Sequence, residues 1–114
     1  MTENKTIDFT ESLIRQFVES KRPPKDLRDK LDIGYTFTNN VLEIFEIRPR
    51  WNNPSEKIHS PIAKARYIKS KRIWKLYWMR ASGKWEAYEP DFEVKITERL
   101  LQIISEDNYG CFWG

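Results

Sequence analysis

The residues able to do chemistry fall into four groups, and the largest is basic. Lys64, Arg66, Lys69, Lys71, Arg72 and Lys75 lie close together, with Tyr77 just beyond them. Lysine and arginine take phosphates and flat rings stack on bases, so this composition suits nucleic-acid binding. The competing reading is a solvated surface neutralised within the fold by Glu43, Glu86 or the acidic terminal segments. The second group is Arg48-Pro49-Arg50-Trp51. Two guanidiniums two residues apart, held by a proline of fixed φ, could clamp an anion, and Trp51 could stack on a base. The alternative favoured by these residues is a plug. In it Trp51 packs under the adjoining loop and the arginines pair with Glu46 or Glu56.

The remaining two groups are weaker. Pro90-Asp91-Phe92-Glu93-Val94-Lys95 contains the acid and Glu-x-Lys elements of metal-dependent nucleases. In such sites two carboxylates hold the metal and lysine helps position water, but those parts belong on adjacent strands. Here they are squeezed into one loop, so the nuclease is a remote alternative. Cys111 and His59 could form a nucleophile pair only if the fold oriented them. Cys111 sits among aromatics, where a cysteine acts as a small apolar side chain. Trp74, Trp78 and Trp85 read as core and not as a ligand cage. No catalytic residue, cofactor or metal is implied.

The composition bounds these readings. A chain of 114 residues, with 39% hydrophobic and 14% aromatic residues, forms one domain with one core. One cysteine excludes an intrachain disulfide, and one histidine excludes ordinary His/Cys metal clusters. No apolar run approaches the roughly 20 residues of a membrane helix, and no signal peptide precedes Ile7. A soluble, cytoplasmic protein is expected, with no membrane partner. The formal charge of +3 hides an uneven distribution. Residues 48–84 hold eleven cations and one acid, a local charge of +10, whereas the rest holds nine cations and sixteen acids, or −7. The basic segment therefore calls either for an anionic partner, nucleic acid among them, or for neutralisation by the acidic part.

Several elements must position these groups. Residues 1–6 read as a frayed start. Asp8 and Glu11 resemble a capping box, and Phe9, Leu13, Ile14, Phe17 and Val18 follow at helical spacing. A helix is predicted over 9–21, stopped by Pro23-Pro24, with a short second helix over 25–31. From Gly34 the period becomes alternating, and Asn39-Asn40 suits a two-residue hairpin turn. Residues 48–61, with Pro49, Pro54 and Pro61, read as a long ordered loop.

A turn at Ser70-Lys71 places Tyr67 opposite Trp74, Ala65 opposite Leu76 and Ala63 opposite Trp78. Small residues facing large ones mark a buried face. The other face then pairs Ile68 with Ile73, Arg66 with Lys75, Lys64 with Tyr77 and Ile62 with Met79. A short strand over 85–88 follows. A helix over 97–107 carries Ile96, Leu100, Ile103 and Ile104 on its apolar side, and the aromatic tail 109–114 is expected to dock. The sum is α+β: an antiparallel β-meander of about five strands with N-terminal and C-terminal helices packed on one face.

Arg22-Pro23-Pro24, Arg28-Asp29 and Ile44-Phe45-Glu46-Ile47-Arg48-Pro49-Arg50-Trp51 resemble the small bacterial domain of unknown function 3024 family. So do Ser55-Glu56-Lys57-Ile58, the run Trp74 to Ala81, Lys84-Trp85, Tyr88-Glu89-Pro90 and the ending Gly110-Cys111-Phe112-Trp113-Gly114. The resemblance implies a stand-alone bacterial protein and assigns no catalytic residue. The expected function is a non-catalytic binding module whose basic, aromatic-dotted sheet face meets an anionic partner. The binding candidates are Arg48, Arg50, Trp51, Lys64, Arg66, Lys75 and Tyr77. The alternative is a protein–protein adaptor or a homodimer, in which the aromatic tail and the open edge strands could pair with another chain.

Overall fold

The computed structural model describes residues 2–114, with side chains from Phe9 onward. Helix α1 spans Thr2–Lys21. Asp8 therefore lies inside α1 and not ahead of it, and the expected frayed start and capping box fall on side chains outside the described set. The Arg22 N–H closes the helix on the Val18 carbonyl, and Pro23-Pro24 follow. In place of the second helix expected over 25–31 there is one 3-10 turn, Lys25–Leu27. A single exposed leucine, Leu27, gives so short a segment no face to bury.

Six antiparallel strands follow: β1 (Asp32–Thr38), β2 (Val41–Arg50), β3 (Asn53–Ile68), β4 (Ile73–Met79), β5 (Trp85–Ala87) and β6 (Glu93–Val94). The spatial order is β1-β2-β3-β4-β5, and β6 also pairs with β4. Helix α2 (Thr97–Glu106) closes the chain of elements. The fold is thus α+β, a curled meander with both helices on one face.

Turn chemistry sets the register. Asn39 and Asn40 both have positive φ, 53° and 63°, which a two-residue turn needs and asparagine tolerates. Across β3 and β4 the pairs Tyr67/Trp74, Ala65/Leu76 and Ala63/Trp78 form as the small-against-large pattern predicts. Ala63, Ala65 and Leu76 are buried against Ile14 and Val18 of α1 and Leu100, Ile103 and Ile104 of α2.

Three expectations are corrected. Residues 48–61 are not a loop but the distal arm of the β2–β3 hairpin. The prolines fit because Pro49 opposes Lys57 without donating, and Pro61 sits where the register shifts. That same shift leaves Ile62 as an extra residue that turns into the core, so it does not share the outer face with Met79. Ile96, ahead of α2, is 60% exposed, and Leu101 takes the buried position instead.

Two polar contacts tie the ends of the chain down. The Arg22 guanidinium donates twice to the Asp32 carboxylate, both bonds at 2.9 Å, joining the end of α1 to the start of β1. At the other end Asp107, left-handed at φ 46°, caps α2. One Asp107 oxygen accepts from the Cys111 and Phe112 N–H groups, and the other accepts from Trp113. The Trp113 indole N–H bonds the Ile104 carbonyl, and Phe112 is buried against Tyr88. The aromatic tail is docked, as its composition requires.

The Arg22 bonds, helped by the Ile33 N–H, hold the Asp32 carboxyl below its ordinary range. A depressed carboxyl contributes stability above the unfolded-state value, near about pH 4, and loses it as pH falls through the folded-state value. Asp32→Asn is therefore expected to flatten the acid side of the stability profile, read as urea midpoints through and below that range. An unchanged acid slope would show that the pair carries no linkage.

Candidate functional site

Strand alternation places two side-chain sets on opposite faces of the sheet. The inner set meets the helices. On the outer face, β3 contributes Lys64, Arg66 and Ile68, and β4 contributes Ile73, Lys75 and Tyr77, paired as Lys64/Tyr77, Arg66/Lys75 and Ile68/Ile73. Arg66 is exposed, whereas Lys64, Lys75 and Tyr77 are half-buried among their neighbours. Lys69, Lys71 and Arg72 are exposed at the hairpin tip beyond Ile68, where Arg72 takes a positive φ of 54°.

The buried side chains of both helices pack against the inner face. The acids nearest in register come from the sheet itself: Glu43 opposes Lys64 and Glu93 opposes Lys75. Arg66 has only Val41 and Lys75 beside it. Among the described residues, none of these six cations forms a salt bridge. Glu86, a second candidate neutraliser, pairs with Arg80 at 3.4 Å instead.

Rings supply the rest of the surface. Lys64 Nζ lies 5.7 Å from the centre of the Trp85 ring, and Lys75 Nζ lies 5.6 Å from that of Phe92. Tyr77 meets Phe92 edge to face at 5.4 Å. Further along, His59 stacks on Phe45 at 4.5 Å with an interplanar angle of 11°. Phe92, Trp85 and the Phe45/His59 stack were not among the sequence candidates. The Met79/Trp85 pairing could have flagged Trp85, since the turn at 81–84 returns the chain along β4. Phe92 arrives from the 3-10 turn Glu89–Asp91, which carries no periodic signal.

The Arg48 to Trp51 group lies apart, on the distal arm. Arg48 pairs with Glu46 at 3.3 Å and Arg50 with Glu56 at 3.0 Å, as the plug reading expects. Trp51 does not plug anything. It is 90% exposed at the arm's turn, because the segment expected to cover it is the paired strand β3.

The nucleophile pair is not assembled. His59 is stacked on the arm, while burial and the nearby Asp107 push the Cys111 thiol above its ordinary value, favouring the protonated form. Asp91 and Glu93 are both exposed, Glu93 facing Lys75. Among the described residues no group of three His, Cys, Asp or Glu side chains could hold a metal ion. No described helix is long and apolar enough to cross a membrane.

With the geometry in place, the family described as Domain of unknown function (DUF3024) matches residues 1–114, the whole chain. The chain belongs to the DUF3024 family. No curated protein and no solved structure matches it. Within this DUF3024 chain the motif residues sort by role. Arg22, Arg28 and Pro23 build the α1–β1 junction, where Arg28 donates to the Pro23 carbonyl at 2.9 Å. The terminal Gly-Cys-Phe-Trp-Gly builds the docked tail. Arg48 to Trp51 build the tip of the arm.

Proposed function

We propose that the outer sheet face binds nucleic acid through its phosphates, as a non-catalytic module of a bacterial, cytoplasmic protein. The observation that supports this most directly is the Arg66/Lys75 pair. Like charges directly opposed across strands cost stability, yet among the described residues neither cation forms a salt bridge, although Glu93 lies across from Lys75. Lys69, Lys71 and Arg72 extend the positive field to the hairpin tip, and Tyr77, Trp85 and Phe92 put ring surface between the cations. Cations that track a backbone beside rings that accept bases are the ingredients of single-strand recognition.

The test is a titration of labelled single- and double-stranded DNA and RNA at several salt concentrations. The combined substitution of Lys64, Arg66 and Lys75 by alanine is expected to weaken binding. It should lower the slope of log K against log salt by about 2 for a single strand, at roughly 0.7 for each phosphate no longer neutralised. Arg48→Ala with Arg50→Ala should leave the slope unchanged. Binding no tighter than that of an acidic protein of similar size removes this reading, as does binding indifferent to the triple substitution.

A further inference from the structure

Among the described residues, the distal arm carries backbone groups with no partner, and their pattern is self-complementary. Thr38 and Val41 flank the two-residue turn and so form a hydrogen-bonded pair. Odd-numbered β2 residues therefore bond β1, and even-numbered ones bond β3. Beyond the register shift, Glu46 pairs with Ser60 and Arg48 with Ile58. Ser60 and Ile58 thus point their backbone groups at β2, whereas Lys57 and His59 point theirs away. Pro49, opposite Lys57, agrees with this parity, since it has no N–H to give. Strand β4 begins its pairing with β3 only at Ala63, and every residue from 51 to 61 is exposed. The outward N–H and C=O groups of Lys57 and His59 have no backbone partner among the described residues. Long edges of this kind recruit further strands unless they are blunted.

We infer that this edge pairs with the same edge of a second copy of this chain, about a two-fold axis through Ile58. Of the three registers that bring these groups together, one pairs Lys57 and His59 without opposing two lysines or a proline to either. Centring on Lys57 sets two lysines face to face, which is repulsive. Centring on His59 opposes Lys57 to Pro61 of the second copy, which cannot donate. Centring on Ile58 joins Lys57 of each copy to His59 of the other in hydrogen-bonded pairs. It also places the two Ile58 side chains, each 38% exposed, against each other, and it opposes Glu56 to Ser60. No like charges meet. The two ends are alike: Pro61 of one copy meets Ser55 of the other and, lacking an N–H, stops the ladder.

This interface uses none of the cations assigned above to nucleic acid, so either reading can fail alone. An axis perpendicular to the sheet keeps both outer faces on one side, which sets two basic faces next to each other. The experiment is sedimentation equilibrium of the full chain from about 10 μM to about 1 mM, the range of a small interface. Wild type is expected to show a concentration-dependent monomer–dimer equilibrium. Ile58→Asp, which sets like charges on the axis, and Lys57→Pro, which deletes the outward backbone N–H together with the Nζ bond to the Asp29 carbonyl, should each shift it to monomer. Thermal melts of dilute protein show whether each variant is folded. If Lys57→Pro fails to fold, Ile58→Asp decides, together with slowed hydrogen exchange of the Lys57 and His59 amides in concentrated wild type. A wild type that stays monomeric throughout, or a dimer that survives Ile58→Asp, overturns the inference.

Discussion

Trp74→Ala is expected to cost about 3–5 kcal/mol, the range for truncating a buried large aromatic. Trp74 is 1% exposed and is the largest fully buried side chain. Its ring touches Tyr67 at 5.1 Å and Phe37 at 6.0 Å, and its indole N–H bonds the Thr97 hydroxyl at 3.1 Å. One residue thus joins β1, β3, β4 and the first turn of α2. The alanine variant leaves a cavity between two rings and frees a polar atom at the helix start. Against a total stability of roughly 5–15 kcal/mol, much of the fold is at stake. Urea unfolding followed by circular dichroism gives the number. Trp74→Phe should lose distinctly less, because a ring remains, and equal losses would mean that the hydrogen bond rather than the volume dominates.

The second large effect concerns Asp107. Asp107→Ala is expected to cost about 2–4 kcal/mol, because backbone N–H groups of Cys111, Phe112 and Trp113 lose a charged acceptor together. Alanine also fits the left-handed conformation at this cap poorly, whereas asparagine tolerates it. Asp107→Asn therefore separates the two causes: it keeps the backbone preference and loses the charge and one acceptor. Denaturant midpoints, with hydrogen exchange at Phe112 and Trp113, check the order wild type, Asn, Ala. If the alanine variant keeps its tail protected, the carboxylate is not what docks it.

How much of this was visible in the sequence depends on whether neighbours in space leave a pattern in the chain. Ala63 and Ala65 against Trp78 and Leu76 did, because close packing on one face demands complementary sizes, and the β3–β4 register follows from it. Asn39-Asn40 did too, through its tolerance of positive φ. The distal arm was hidden because three prolines read as loop, and only the parity of hydrogen bonding shows that a strand can hold them. The inward turn of Ile62 needs the register shift, which no alternation reveals. Of the candidate face, Lys64, Arg66, Lys75 and Tyr77 were legible from one hairpin. Trp85 and Phe92 come from separate elements, and Glu93 reaches Lys75 only through a two-residue strand. The separation of Arg48 to Trp51 from that face is likewise a matter of three-dimensional placement.

The exposure of Trp51 has an optical consequence. The chain has five tryptophans, and the other four are buried or half-buried, so Trp51 alone stands almost wholly in water. Its emission lies to the red of the rest and is the part that a soluble quencher reaches first. Wild-type fluorescence therefore contains a separable signal from the tip of the arm. Trp51→Phe subtracts that signal with little disturbance to the core. A ligand or second chain arriving at the arm reports itself as weaker quenching, without any attached dye.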